Sequence, residues 1–481
     1  MSKFNNSAAN TNKTVNLAGG EAFVMTPELE LVSALLTSFL EDKYYETGEK
    51  RQTRIEELVK KVDPLFAAKA SIFARTEFGM RSVSHVVAGV IASTVKGQEW
   101  TKRYFDKVVY RPDDMMEILS YYYANFGKNE PKALRKGFAK AFERFDEYQL
   151  AKYRSAGKEV SLVDVVNLVH PQHSEAIAKL VRDELRNTGT FESKLSQAGQ
   201  SGDENSKAAA WGELVKSGKI GYMALVKNLR NIINETNDET VDAAINILTN
   251  ENRIKKSLLL PFRFLTAYEQ LENNSRSSKV LSGLSDALDK SFANVPKFEG
   301  KTLVVIDHSG SMGSGTQSHF GKGAMFGLAL ARSSGADLMH FGDTAEYLAF
   351  NKNDSTLTLM KWLDSLNGYS YGTGKGHVGH GTNLNAVFEQ ADKAYDRILI
   401  ISDMQTWVGY YHPGAALGKY KTRTGANPFI YSWDMAGYGS LAFPENRVAT
   451  LAGWSEKTFD IMKLVETDKK ALVNKINSID L

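Results

Sequence analysis

Cysteine is absent from all 481 residues, which excludes disulfides and thiolate chemistry and suits a reducing, cytoplasmic setting. No run approaches the roughly 18–20 apolar residues of a membrane-spanning helix, so a soluble chain with no membrane contact is expected. An excess of one charge is missing too: 59 basic residues stand against 56 acidic ones, a formal net charge of +3. Any surface for a polyanion must therefore be local. The opening stretch is rich in Asn, Ser, Thr and Lys without a long apolar core, so residues 1–18 are expected to form a disordered tail and not a secretory signal.

What the chain does have is length for two to three domains and two contrasting patterns. From Thr26 onward it reads as helix after helix. Thr26-Pro27-Glu28 supplies a cap, a first-position proline and a first-turn acid, followed by Leu29, Val32, Leu35, Leu36, Phe39 and Leu40 at helical spacing. Comparable stretches recur as far as Lys279–Ala293 with no strands between them. This predicts a stack of degenerate, HEAT-like helical repeats over residues 19–296. Residues 189–207, rich in Gly, Ser, Gln and Asn, read as a mobile loop within it. After Asn294-Val295-Pro296 the pattern changes: Thr302–Ile306, Asp337–Phe341, Ile398–Ser402 and Phe429–Trp433 read as strands. Gly323–Ser334, Leu357–Leu366 and Leu384–Tyr395 read as helices between them. That βα rhythm predicts a doubly wound α/β domain over residues 297–481, giving a multidomain α and α/β chain.

The first of those strands runs into Asp307-His308-Ser309-Gly310-Ser311, a cluster of hard oxygen ligands. Gly381-Thr382-Asn383 in a glycine-rich loop and Asp403 at the end of another strand supply more. Mg²⁺ takes oxygen ligands at about 2.0–2.1 Å and keeps waters, so hydroxyls backed by a few carboxylates suit it, or another divalent cation such as Mn²⁺. In open α/β sheets, ligands gather beyond the carboxyl ends of the strands, where these three segments would meet. The pattern resembles the metal-ion-dependent adhesion site of the von Willebrand factor A fold. The resemblance implies that Ser309, Ser311 and Thr382 touch the metal, with Asp307 and Asp403 acting mostly through water. His377 and His380 have a zinc-like spacing but no further ligands to complete a site. Gly321-Lys322 and Gly374-Lys375 lack the spacing and the following Ser or Thr of a phosphate loop, so nucleotide hydrolysis is not expected.

A second constellation lies among the helices. Lys132, Lys136, Lys140 and Arg144 recur every four residues on a helix whose other face carries Leu134, Phe138, Ala141, Phe142 and Phe145. Between Lys128 and Lys158, nine basic residues stand against four acids. A helical domain followed by an A-type domain, with Ala133-Leu134-Arg135-Lys136, Lys152-Tyr153, the segment from Met223 to Leu229, and Pro261-Phe262, resembles the Ro autoantigen (TROVE-domain) ribonucleoprotein family. The resemblance implies a monomeric ring of repeats closed by the A domain, with no catalytic activity. A small noncoding, Y-like RNA would lie on its basic outer face through Lys152, Arg154, Lys158 and His170, with Lys132, Arg135, Lys136 and Lys140 nearby. Ends of structured or misfolded RNA would pass through a central hole for quality control or processing, and an exoribonuclease would be tethered through the RNA. Met404-Gln405 stand where the family more usually has Asn-Glu. The competing expectation is a Mg²⁺-dependent adaptor whose A domain grips an acidic residue of a protein partner.

Overall fold

The structure, a computed structural model, describes residues 13–481 except 39, 154–158, 188–194, 196–197, 199–203, 219, 258, 260, 273, 293–294, 296, 317, 367–377, 408–412, 444–446, 454–457, 460, 463–465 and 467–470. The chain divides into two compact units, residues 1–190 with 434–481, and residues 191–433.

Helices dominate the first unit: α1 (Pro27–Thr37), α2 (Gly48–Lys61), α3 (Pro64–Glu77), α4 (Ser82–Thr94), α5 (Trp100–Lys107), α6 (Pro112–Phe126), α7 (Lys132–Ala141), α8 (Glu147–Lys152), α9 (Leu162–Val169) and α10 (Glu175–Val181). Their starts are written in the sequence. Thr26 Oγ1 accepts from the Leu29 amide at 3.3 Å with Pro27 in the first turn, and Asp63 caps α3 ahead of Pro64 in the same way. Gly137 lets α7 approach α5, because a Cβ there would stand 2.5 Å from Phe105 Cβ and 2.8 Å from the Lys102 carbonyl. The C-terminal segment returns to this unit, where Arg51 donates to the Ala436 carbonyl at 2.5 Å and Arg54 to that of Gly437 at 2.6 Å.

The expected tail over residues 1–18 is partly overturned. Lys13–Val15 (β1) pairs antiparallel with Glu21–Val24 (β2), in the register Lys13↔Phe23 and Val15↔Glu21. Asn16 Oδ1 accepts from the amides of Ala18 (3.1 Å) and Gly20 (2.8 Å), and Gly19 turns the chain at φ +87°. Buried Ala22 and Phe23 give the hairpin a core that the polar composition hid. Residues 1–12 lie outside the described residues. The loop expected over 189–207 is likewise too long, since a helix already runs over Glu204–Lys216, carried by the good helix formers Ala208, Ala209 and Ala210.

The second unit begins with helices α11 (Glu204–Lys216), α12 (Tyr222–Glu235), α13 (Asp238–Leu248), α14 (Glu251–Ser257), α15 (Phe262–Leu271) and α16 (Ser278–Ser291). It continues into β3 (Thr302–Asp307), α17 (His319–Ser334), β4 (Asp337–Phe341), β5 (Ala345–Leu348), α18 (Thr356–Ser365), α19 (Leu384–Gln390), β6 (Arg397–Ser402), α20 (Pro413–Thr424) and β7 (Phe429–Asp434). The strands lie in the order β5-β4-β3-β6-β7, with β3 parallel to both β4 and β6. Every residue of β3 and β6 is buried, as expected of parallel strands covered on both faces. Strand β5, antiparallel to β4, was not expected; it is four residues long and follows directly on the turn after Phe341. The helix expected to reach Tyr395 stops at Gln390, where Ala391 turns extended (φ −63°, ψ +105°), and the Tyr395 amide donates instead to the Tyr420 hydroxyl at 3.0 Å.

The fold class read from the sequence holds: helical repeats, then a doubly wound α/β sheet. The change of composition near residue 297 nevertheless lies inside the second unit. Asp289 on α16 accepts from Arg332 Nη1 at 2.8 Å and from the Thr356 amide at 3.0 Å, joining the last repeat helix to α17 and α18. Among the described residues no helix is long and apolar enough to cross a membrane.

Candidate functional site

The three oxygen-bearing segments converge beyond the carboxyl ends of β3 and β6. The register Ile306↔Ile401 sets Asp307 beside Ser402, whose hydroxyl donates to Asp307 Oδ2 at 2.5 Å, while the Ser309 amide donates to Oδ1 at 2.7 Å. Backbone bonds knit the loops: Gly310 N to the His380 carbonyl at 3.0 Å, and Trp407 N and Thr406 Oγ1 to the Thr382 carbonyl at 3.2 and 2.8 Å. Ser309 and Ser311 hydroxyls lie 3.4 Å apart, and Asp403 is fully buried, its Oδ1 accepting from the Gln405 amide at 3.2 Å. All five sequence-predicted ligands thus sit at one end of the sheet, Asp307 as the last residue of β3 and the others on the segments beyond the strand ends.

The donor set fits a hard cation. Burial pushes the Asp307 carboxyl up to about 6, against the opposing pull of the Ser402 and Ser309 hydrogen bonds. Thr382 Oγ1 is buried without a hydrogen-bond partner, a state that ordinarily costs about 1–3 kcal/mol and is relieved by a ligand. Among the described residues no group of three or more His, Cys, Asp and Glu is placed to hold a metal, so a cation here would rest largely on hydroxyl oxygens. His308 faces away from these ligands into the interior. Its Nδ1 lies 3.0 Å from His340 Nδ1 and its ring meets Phe320 edge-on, and burial, with His340 and His380 adding to it, lowers its pKa to about 2, leaving a neutral imidazole. His377 lies outside the described residues.

The basic constellation forms a groove of about 480 Å³ in the first unit. Lys132, Arg135, Lys136 and Lys140 line it from α7, and His170 lines it from the end of α9. All five are exposed. His170 adopts the left-handed conformation (φ +47°, ψ +65°) as it caps α9 ahead of Pro171, uncommon for a residue other than glycine. Lys102 also lines the groove, and the sequence reading missed it. It lies on α5, thirty residues from Lys132, and its only sequence signal is Gly137, the small residue that lets the two helices touch. Lys102, Lys132 and Lys136 have no ion-pair partner among the described residues. Lys140 pairs with Glu143 at 2.5 Å at exposed positions where such pairs are weak, and the exposed Arg135 stands 3.8 Å from the largely buried Glu130 carboxylate.

Two basic residues of this region lie off the groove. Arg144 does not join the groove; it bonds Asp106 and the Val109 carbonyl at 2.9 Å, fastening the stretch after α7 to that after α5. Lys152 is exposed at the end of α8, over the Tyr148 ring at 5.9 Å, but does not line the groove. Arg154 and Lys158 lie outside the described residues.

The family model of the TROVE domain matches residues 34–197 and 181–306. Telomerase protein component 1 of Rattus norvegicus is 23% identical over 300 residues, covering 44% of this chain and 11% of that protein. The protein named RNA-binding protein RO60 of Deinococcus radiodurans is 26% identical over 254 residues, covering 47% of this chain and 45% of that one. The matched stretches thus span about a tenth and less than half of these relatives. The crystal structure of Deinococcus radiodurans RO (RSR) protein superposes with a TM-score of 0.61 at 19% identity, over 90% of this chain and 99% of that one, a likeness of fold.

Proposed function

The chain belongs to the TROVE-domain family, and from that premise we propose that it is an RNA-binding scaffold of a ribonucleoprotein, holding a small, folded noncoding RNA of the Y-like kind in the Lys102–Lys136–His170 groove. The observation that carries this reading is the gathering of four lysines and Arg135 from two helices around one concave surface, with Glu143 the single carboxylate among its described lining residues. A-form RNA hides its bases in a deep, narrow major groove, so a folded RNA would be held through phosphates and 2′-hydroxyls, which suits flexible ammonium groups around a groove. Lys152, Arg154 and Lys158 would extend the contact. Ends of structured or misfolded RNA would be received elsewhere on the protein for quality control or processing, with an exoribonuclease recruited through the RNA. Binding, not catalysis, is the proposed role, since metal-assisted hydrolysis usually employs paired ions about 3.5–4 Å apart or a general base beside the nucleophile.

The test is binding of a structured small RNA across a salt series. Lys102→Glu with Lys136→Glu should weaken binding at least tenfold and flatten the slope of log K against log salt by roughly one to two charges. An unchanged slope would remove the groove from the interface.

A second role stands beside the first. Ser309, Ser311 and Thr382 would hold Mg²⁺ or Mn²⁺, with Asp307 and Asp403 supporting it, and an open position would accept a partner's carboxylate. The specific observation in its favour is Trp407, 56% exposed and fixed by its amide to the Thr382 carbonyl, an aromatic anchor beside the loops.

A further inference from the structure

The second unit contains a cavity that neither role uses. It encloses about 180 Å³ between α15, the loop leading into α17, and α18. Its floor is apolar: Leu265, Phe320, Leu357 and Met360 are all buried. Its rim is charged, with Glu269, Glu272 and Asp364 against Lys361 alone among the described lining residues. Lys361 is committed within that rim, for its ammonium pairs with Glu272 at 2.6 Å and lies 4.9 Å from the centre of the Tyr268 ring, so it offsets Glu272 and the surplus of carboxylate is Glu269 and Asp364. Asp364 Oδ1 accepts from the Gly315 amide at 3.0 Å, which holds its carboxylate at the mouth.

We propose that this cavity is a binding site for a small organic cation whose apolar body is about the size of one aromatic ring. An apolar cavity of roughly 150 Å³ accommodates benzene, so the volume selects a single ring or a short branched chain and excludes a helix or a nucleotide. The surplus of carboxylate at the mouth disfavours anions and leaves a place for an ammonium beside Asp364, where a charge-assisted hydrogen bond would form. Hydrated inorganic cations do not suit the hydrocarbon floor, because they release water reluctantly. An ammonium carried on a hydrophobic body satisfies both halves. Pockets of this kind, apolar within and carrying a few convergent polar groups, are the usual form of a small-molecule site.

Titration calorimetry on the full chain with phenethylammonium, phenethyl alcohol and phenylacetate tests the proposal. The ammonium should bind at least tenfold more tightly than the alcohol, and the carboxylate should not bind at millimolar concentration. Asp364→Asn should reduce the ammonium's advantage to within about threefold while leaving the alcohol's affinity unchanged, which also shows that the variant is folded. Glu269→Gln should produce a smaller loss in the same direction. Equal affinity for all three probes, no saturation by any of them, or an ammonium preference that survives both substitutions would overturn it.

Discussion

Two aspartates, Asp114 in the first unit and Asp307 in the second, are both fully buried, yet their surroundings push them in opposite directions. Asp114 is ringed by side-chain nitrogens: Arg75 Nη2 at 3.0 Å, Arg81 Nε at 2.9 Å and His85 Nε2 at 3.0 Å, with the amides of Tyr110 and Arg111 completing its shell. Burial works to raise its pKa, but the hydrogen bond from His85 and the charges of Arg75 and His85, with Arg81 adding a further bond, hold it well below the ordinary carboxylate range. Asp307 has a hydroxyl and an amide, and burial prevails. The first site is electrostatically complete and the second is short of positive charge. A raised carboxyl does not by itself mark a metal site, because Asp434 is also raised by burial while the Gly437 and Ala436 amides and the Ser33 hydroxyl satisfy it. What separates Asp307 is its company: the Ser309 and Ser311 hydroxyls, buried Asp403 and the orphaned Thr382 hydroxyl.

The largest effect expected from this contrast is at the complete site. Asp114→Asn should cost about 3–5 kcal/mol in urea unfolding, because it strands Arg75 and its neighbours without their counter-charge. A loss below about 1 kcal/mol would mean that solvent reaches the cluster and that the cage is not what holds α4 and α6 together. The same site has a pH signature. Because the folded pKa lies below the unfolded value of about 3.9, its contribution is present above that value and drains away as pH falls through the depressed folded one. The stability gap between the parent and Asp114→Asn should therefore close progressively below about pH 4, and a gap constant from pH 7 to pH 3 would contradict the assignment.

At the incomplete site the expected order is reversed. Asp307→Asn should leave the metal-free chain within about 1 kcal/mol of the parent, since relief of a buried charge offsets the loss of one acceptor. A divalent cation should stabilise the parent by about 2.7 kcal/mol at a hundred times its dissociation constant, whereas Asp307→Ala and Ser309→Ala should show no Mg²⁺- or Mn²⁺-dependent rise in Tm. RNA affinity should be unaffected in both. Loss of RNA binding together with the metal response would show that the two surfaces are not separable.

The same contrast explains what could be read in advance. The metal-type loops at Asp307 and Asp403 were legible because each lies at the end of an apolar strand, and strand ends are where an α/β sheet presents chemistry; Thr382 follows no strand among the described residues, standing instead just ahead of the Asn383 cap of α19, and was legible only through chain order and its glycine-rich loop. The face of α7 was legible for a related reason, because Leu134 and Phe138 fix which side of the helix is buried and so which lysines are not. Lys102 was not, since it enters the groove through a helix contact that depends on the single small residue Gly137. Nor was the cage around Asp114. Its donors span Arg75 to Arg111 and meet through the packing of three helices, so no local spacing announces them. Strands β1 and β5 escaped for want of length, three and four residues being too few to establish a period of two.

A third carboxylate, Glu143, extends the comparison to solvent. It faces the groove and pairs with Lys140 at 2.5 Å, where the ammonium pKa is raised by the hydrogen bond and charge of Glu143. Both partners are exposed, so water and salt screen the pair and its removal should not move the urea midpoint. Its effect should appear in binding instead. Glu143→Gln releases Lys140 and removes the one carboxylate among the groove's described lining residues, so RNA affinity should rise roughly two- to threefold at low salt, with the gain fading as ionic strength increases. Fluorescence-anisotropy titrations at two salt concentrations are sufficient to see it. A fall in affinity would mean that Glu143 positions Lys140 for a phosphate, making the pair part of the recognition surface.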